Sequence, residues 1–216
     1  MNFKAIIFDL DGVICHTDEY HYQAWKAVAD QLSIPFDRTI NNRLRGVSRM
    51  ESLDIILEKY NGRMRAVEKE ELAAQKNELY KQYLNRMGPK DLSAEVKVTL
   101  DTLRDKGLLL AIGSSSKNTA FILSQIGLGD FFDAVSDGNN ITRSKPDPEV
   151  FLKAAEFLET DPADCLVVED AVSGAEAGHR GGMKVATVGD ASKAGVGDWN
   201  MESITELVRI VEDEKP

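Results

Sequence analysis

Only two of the 216 residues are cysteine, Cys15 and Cys165, and they stand far apart without metal-type spacing. That scarcity excludes a disulfide scaffold and a cysteine zinc site, and it predicts a reducing, cytoplasmic setting. Long apolar runs are missing too. The longest, Leu108 to Ile112, falls far short of the roughly 20 residues a membrane-crossing helix needs. The first run stops at Asp9 and does not read as a signal peptide. Positive charge is scarce: 26 Lys+Arg against 36 Asp+Glu leave a net charge of −10, with no basic run. Nucleic acid and anionic membranes are therefore not expected as partners, although a few focused cations can still bind a small anion. His16, His21 and His179 lack zinc-site spacing. Gly174, Gly178, Gly181 and Gly182 form no GxGxxG after a strand, so a dinucleotide site is not expected.

Near the start, Phe3 to Phe8 forms a short apolar run that fits a strand buried on both faces. It ends in Asp9-Leu-Asp11-Gly12, two carboxylates at i, i+2 that extended backbone places on one side. Like charges this close demand a cation, a shared proton, or both. Taken alone, the pair is equally ordinary turn chemistry.

From Asp18 the period becomes helical: His21, Trp25, Val28 and Leu32 recur, with Asp18 as N-cap and Pro35 closing the helix. Ser48-Arg-Met-Glu51 is a capping box opening a helix with Met50, Leu53, Leu57 and Tyr60 inward, ended by Asn61-Gly62. A long helix over 66–87 follows, with Leu72, Leu79 and Tyr83 inward, stopped by Gly88-Pro89.

The remainder alternates strand and helix. Helix 94–106 precedes strand 108–113, and Ser114-Ser-Ser116 leads into a helix through Ile126. Strand 133–136, a helix begun by Asp147-Pro148, strand 165–168, helix 172–180, strand 184–188 and a helix near 202–211 complete the chain. The last residues are expected to fray. Alternation with continuous apolar strands predicts an α/β fold, a Rossmann-like doubly wound parallel sheet. Its core domain would comprise residues 1–14 and 89–216, with an inserted all-helical cap over 15–88.

Ligands of such sheets bind beyond the carboxyl ends of the strands. There the sequence places Asp9 and Asp11, Ser114, the Lys145 loop, and Glu169 with Asp170. These suit phosphoryl transfer: a carboxylate nucleophile, hard oxygens for Mg²⁺, a hydroxyl donor and a lysine. A carboxylate approaching a phosphate dianion meets roughly 10 kcal/mol of repulsion at ~3.5 Å and an effective dielectric constant of ~20, about seven decades of rate. One divalent cation and one lysine are a sufficient offset.

Asp9-Leu-Asp11-Gly12-Val13, Ser114, Ser144-Lys145-Pro146 and Val168-Glu169-Asp170 together resemble the haloacid dehalogenase superfamily, including its helical insertion after the first motif. Glu19-Tyr-His21, Ala24-Trp25-Lys26, Gly46-Val-Ser-Arg49, Lys76-Asn77 and Ser116-Lys-Asn118 narrow the likeness to its beta-phosphoglucomutase family, across essentially the whole chain. The resemblance implies a phosphomutase interconverting β-glucose 1-phosphate and glucose 6-phosphate, with glucose 1,6-bisphosphate as intermediate and activator. It implies Asp9 as nucleophile and Asp11 as general acid/base. Mg²⁺ would sit on the Asp9 carboxylate, the Asp11 main-chain oxygen and Asp170, with Glu169 near its shell. Ser114 and Lys145 would hold the transferring phosphate; Arg49, Ser116, Lys117 and Asn118 would hold the distal one. His21, Trp25, Lys76 and the Gly46-Val47-Ser48 loop would contact substrate from the cap, Thr17 would belong to the hinge, and Ser115 would line the site. Asp9 is expected to stay ionised and Asp11 to carry the proton. A monomer acting on small sugar phosphates is expected.

The sequence departs from the family pattern at His16, Asp18, Arg45, Ser115 and Ser93-Ala-Glu95, none of which removes a catalytic atom. Without the resemblance, His21 and Trp25 read as packed helix residues, and Arg49 and Lys76 as solvated charges. Two alternatives stay open: a sugar-phosphate phosphatase using the same nucleophile, and a sugar-phosphate-binding regulator on a silenced scaffold.

Overall fold

Residues 3–213 are described by a computed structural model of the chain. In chain order, strand β1 (Ala5–Phe8) is followed by helices α1 (Asp18–Gln31), α2 (Arg38–Asn42), α3 (Arg49–Leu57) and α4 (Ala66–Leu84). Then come α5 (Ala94–Asp105), β2 (Leu109–Gly113), α6 (Thr119–Gln125), β3 (Ala134–Ser136), α7 (Glu149–Phe157) and β4 (Cys165–Glu169). The chain continues with α8 (Val172–Arg180), β5 (Lys184–Thr187), α9 (Gly189–Lys193), β6 (Trp199–Asn200) and α10 (Leu207–Asp213).

All four side chains of β1 are buried, which places it inside the sheet rather than at an edge. It pairs in parallel with β2 on one side and β4 on the other. The full order is β3-β2-β1-β4-β5-β6, and every pairing is parallel. Period-two alternation sends Ile6 and Phe8 into a cluster with Leu100 of α5, Ile122 of α6 and Leu207 of α10. Ala5 and Ile7 face the opposite cluster with Phe151 of α7 and Ala175 of α8. Helices on both faces of a parallel sheet make the doubly wound α/β architecture that the alternation predicts.

Helices α1–α4 carry a cluster of their own, including Trp25, Val28, Phe36, Leu53, Ile56 and Leu72. The C-terminal half of α4 does not belong to it: Tyr80 and Leu84 join the sheet's cluster, so this helix ties the helical layer to the sheet. The capping box at α3 forms both bonds, Glu51 N to Ser48 Oγ at 3.2 Å and Ser48 N to Glu51 Oε2 at 2.8 Å.

Several local expectations shift. Helix α2, capped by Asp37, helix α9 and strand β6 were not legible as periodic segments, because each spans at most five residues. Thr17 rather than Asp18 occupies the N-cap of α1, since the Asp18 carboxylate is drawn to Arg45. Met50 is exposed, and Leu53 and Ile56 form the buried stripe of α3. In α4 that stripe is Leu72, Ala73, Lys76, Tyr80 and Leu84; Leu79 and Tyr83 are only half-buried. Pro148 is the N-cap of α7 rather than its first residue, while the Asp147 side chain accepts from Glu149 N at 3.0 Å. Asn118 occupies the N-cap position of α6, with no capping bond from its side chain. The expected fraying of the last residues concerns 214–216, outside the described residues. Among the described residues, no helix is long and apolar enough to cross a membrane.

Ile7 is fully buried in the central strand. Ile7→Ala is expected to cost about 2–5 kcal/mol in urea unfolding, against about 1 kcal/mol for Ser48→Ala at the capping box. Equal costs would contradict this placement of the core.

Candidate active site

Asp9 leaves β1 with its amide still bonded to Val168 O at 2.9 Å, so the strand ladder fixes the position of its carboxylate. Lys145, from the loop before α7, is fully buried and donates to Asp9 Oδ1 and, at 2.6 Å, to Glu169 Oε1. The second Glu169 oxygen accepts the amides of Asp170 and Ala171, each at 2.8 Å, which locks this side chain at the end of β4. Asp9, Glu169 and Asp170 present oxygens within 4.8 Å of one another, all three residues buried. Two glycines make room. Gly12 has φ +92°, and a Cβ there would overlap the Asp170 carboxylate; a Cβ at Gly174 would overlap that of Glu169.

This centre has too little positive charge. Lys145 pairs with Asp9 and Glu169, and Arg45 reaches Asp170, so two cations face three buried carboxylates, and Arg45 is shared with the more exposed Asp18 and Asp190, the last of which also pairs with Lys193. Burial pushes Asp9 up to about 7, with Lys145 opposing and the adjacent Glu169 adding to the rise. Burial pushes Asp170 up to about 8, reinforced by Glu169 and Asp9 against Arg45. Asp11 moves the other way. Burial would raise it, but His21, Thr17 and Lys76 outweigh that and hold it below its ordinary value. In the absence of a metal ion, Asp9 thus retains its proton more readily than Asp11; the ionised Asp9 expected from the sequence is the metal-bound form. The physical reason is that Asp9 shares one lysine with a second buried acid, whereas Asp11 faces donors. Clustered hard oxygens with unbalanced charge suit a divalent cation, and Asp9, Glu169 and Asp170 are the side chains that would hold it.

Asp11 is half-buried and accepts a hydrogen bond from Thr17 Oγ1. The His21 Nε2 atom lies 3.8 Å from its other oxygen, and His21 Nδ1 lies 2.8 Å from Lys76 Nζ. With Lys76 donating, Nδ1 accepts and the ring proton sits on Nε2, facing Asp11. Burial, with Arg49 nearby, depresses Lys76 well below its ordinary value. Burial and Lys76 likewise depress His21.

A cavity of about 520 Å³ opens over these groups, a volume suited to a small molecule. Asp9, Asp11, Glu169 and Asp170 line it together with His21, Trp25, Gly46, Val47, Ser48, Arg49, Lys76, Ser115, Ser116, Lys117 and Asn118. Three expected site residues, Thr17, Ser114 and Lys145, are buried and do not line it. Trp25 is both packed and lining, so the two readings of it coincide. Around the rim, Ser115 Oγ donates to Gly46 O at 3.1 Å and Asn118 Nδ2 to Asn77 Oδ1 at 3.0 Å, joining the helical layer to the core. Sequence reasoning missed Asn41 and Ser52, polar residues lining the cavity from α2 and α3, and treated Arg45 only as a departure. Ser52 follows Arg49 by three residues on a recognisable capped helix and was within reach; Asn41, in a five-residue helix, gave no signal.

Residues 3–182 match the family described as haloacid dehalogenase-like hydrolase. The chain belongs to the haloacid dehalogenase-like family. Within that family it is 42% identical over 192 residues to a beta-phosphoglucomutase of Bacillus subtilis, covering 86% of this chain and 83% of the relative. A beta-phosphoglucomutase from Clostridium difficile has a crystal structure that superposes with a TM-score of 0.92 at 32% identity, covering 98% of this chain and 96% of that one. A fructose-1-phosphate phosphatase of Escherichia coli, YqaB, is 28% identical over 187 residues, covering 86% and 96%.

The charge imbalance of this haloacid dehalogenase-like centre sets a pH dependence. Asp9 and Asp170 bind protons more tightly folded than unfolded, so without metal they favour the folded state at low pH, and that contribution is lost as pH rises through about 7 to 8. A divalent cation competes with those protons. Its stabilisation is therefore expected to grow between pH 6 and 9, toward about 2.7 kcal/mol at a hundredfold excess over Kd, or about 5–10 °C in Tm. Thermal melts with and without divalent cation test this, and a cation effect independent of pH would contradict it.

Proposed function

We propose that the chain is a Mg²⁺-dependent beta-phosphoglucomutase, interconverting β-glucose 1-phosphate and glucose 6-phosphate through an aspartyl phosphate and glucose 1,6-bisphosphate. One observation carries the reading beyond family membership. The cavity that exposes Asp9 is also lined by Arg49, Ser116, Lys117 and Asn118, cationic and hydrogen-bonding side chains of the kind that suit a second phosphate. A bisphosphate needs two phosphate positions in one cavity; a monophosphate phosphatase needs one.

In this reading Asp9 attacks phosphorus while the bond to the sugar oxygen breaks, and Asp11 supplies the proton that oxygen takes up. In the complementary step, ionised Asp11 removes the proton from the accepting sugar hydroxyl, which attacks the aspartyl phosphate and frees Asp9. The lowered proton affinity of Asp11 in the free protein keeps it ionised, the form the base step starts from. Lys145 and Ser114 steady the phosphate being transferred, and His21 with Lys76 orients Asp11. Mg²⁺, held by Asp9, the Asp11 main-chain oxygen and Asp170 with Glu169 beside them, would offset the phosphate's charge. Residues 15–88 serve as a cap that brings Arg49, His21 and Lys76 over the core formed by 1–14 and 89–216, and thereby keep water from the aspartyl phosphate.

A phosphatase remains the second reading, favoured by the likeness to the Escherichia coli fructose-1-phosphate phosphatase. Incubating protein, Mg²⁺, β-glucose 1-phosphate and a trace of glucose 1,6-bisphosphate, followed by phosphorus NMR, separates the two. Glucose 6-phosphate is the expected product; inorganic phosphate alone would overturn the mutase. Asp9→Asn is expected to abolish turnover, and Asp11→Ala to lower it by about 10²–10⁴-fold. Intact turnover in Asp11→Ala would remove Asp11 from the proton-transfer role.

A further inference from the structure

Tyr80 is a large, fully buried side chain beside the site, yet it does not line the cavity. Its hydroxyl donates to Thr17 Oγ1 at 3.0 Å, and Thr17 Oγ1 donates in turn to Asp11 Oδ1. The ring lies 4.0 Å from that of His21 at an interplanar angle of 34°, and Lys76 Nζ sits 4.4 Å from the ring centroid. One side chain thus touches Thr17, His21 and Lys76, three groups through which Asp11 is held.

A threonine hydroxyl has one proton and two acceptor positions. With an acceptor position filled by the Tyr80 hydroxyl, and the residue fully buried, the Thr17 proton is directed at Asp11. Removing the Tyr80 hydroxyl leaves Thr17 a free rotor whose proton can turn to neighbouring carbonyl oxygens. We propose that Tyr80 is a positioning residue for this site: its hydroxyl orients Thr17, and Thr17 fixes the Asp11 carboxylate in the orientation from which it exchanges a proton with the sugar oxygen. The ring is also the shelf on which His21 and Lys76 rest. This rests on the reading of Asp11 as the proton carrier.

Tyr80→Phe removes one oxygen and leaves the ring contacts, so the fold is retained. The expected result is a kcat about 5–10-fold lower, the worth of roughly one hydrogen bond, with KM within about twofold. On a Thr17→Val background the same change has no further effect on kcat, because the relay is already cut. Tyr83→Phe, half-buried on the same helix, leaves kcat unchanged. A second readout needs no turnover: the buried Tyr80 hydroxyl proton, assigned by its loss in Tyr80→Phe, shifts in the proton NMR spectrum of Asp11→Asn. If the wild type only releases phosphate, the mutase reading fails while the same kcat comparison is made on phosphate release. An unchanged kcat in Tyr80→Phe, an undiminished loss on the Thr17→Val background, or a hydroxyl resonance indifferent to Asp11→Asn would each overturn the proposal.

Discussion

Three buried carboxylates against one buried lysine and one arginine shared with other acids is the constraint on which the rest of the site depends. Lys145 cannot be exposed, because its attraction to Asp9 and Glu169 is effective only where water does not screen it. Burial would by itself lower the lysine's proton affinity, yet its two acidic partners reverse that and hold it above its ordinary value. Gly12 and Gly174 follow from the same crowding: acids brought this close leave no volume for a neighbouring Cβ. The sheet supplies the rigidity. Asp9 and Glu169 sit at the ends of adjacent paired strands, so neither can relax away from the other without breaking the ladder.

Arg45 shows how the helical layer takes part in that balance. Its guanidinium reaches Asp18 at the start of α1, Asp170 at 3.0 Å beyond β4, and Asp190 at 2.8 Å in α9. A planar fork with five N–H donors can hold three separated carboxylates at once, which an ammonium on a flexible stem does less well. An arginine at position 45 and the presence of Asp18 therefore make sense together. One of the three acids belongs to the cation-holding set, so the loop that carries Arg45 is coupled electrostatically to whatever charge occupies that set.

The sequence spoke clearly wherever one physical signal dominated. The buried strands announced themselves as apolar runs, and Asp9, Glu169 and Asp170 by standing at their carboxyl ends, with Lys145 in the loop that follows β3. The capping box at Ser48 was equally plain. Signals failed where two demands competed for one residue. Asp18 looks like a helix cap, but its carboxylate is claimed by an arginine 27 residues away. In α4 the hydrophobic pattern pointed to Leu79 and Tyr83, because a period count does not rank Lys76 as a buried residue. The proton affinities of Asp9 and Asp11 in the metal-free site were out of reach for another reason. They depend on which donors lie within hydrogen-bonding range, and those come from residues as distant in sequence as Lys145.

The misplaced face of α4 is the most informative of these, because that helix does more than pack. Lys76 bonds to His21, Asn77 to Asn118, and Tyr80 to Thr17. Positions i and i+4 lie on one face a single turn apart, with i+1 at its border, so one short stretch of helix reaches the groups around Asp11 and the rim residue Asn118. A rigid helix cannot move one of these contacts without moving the others. Leu84, one turn further along, anchors the stretch in the sheet's own cluster. The groups that orient Asp11 and the contact that joins the helical layer to the core at Asn118 therefore depend on one and the same stretch of helix.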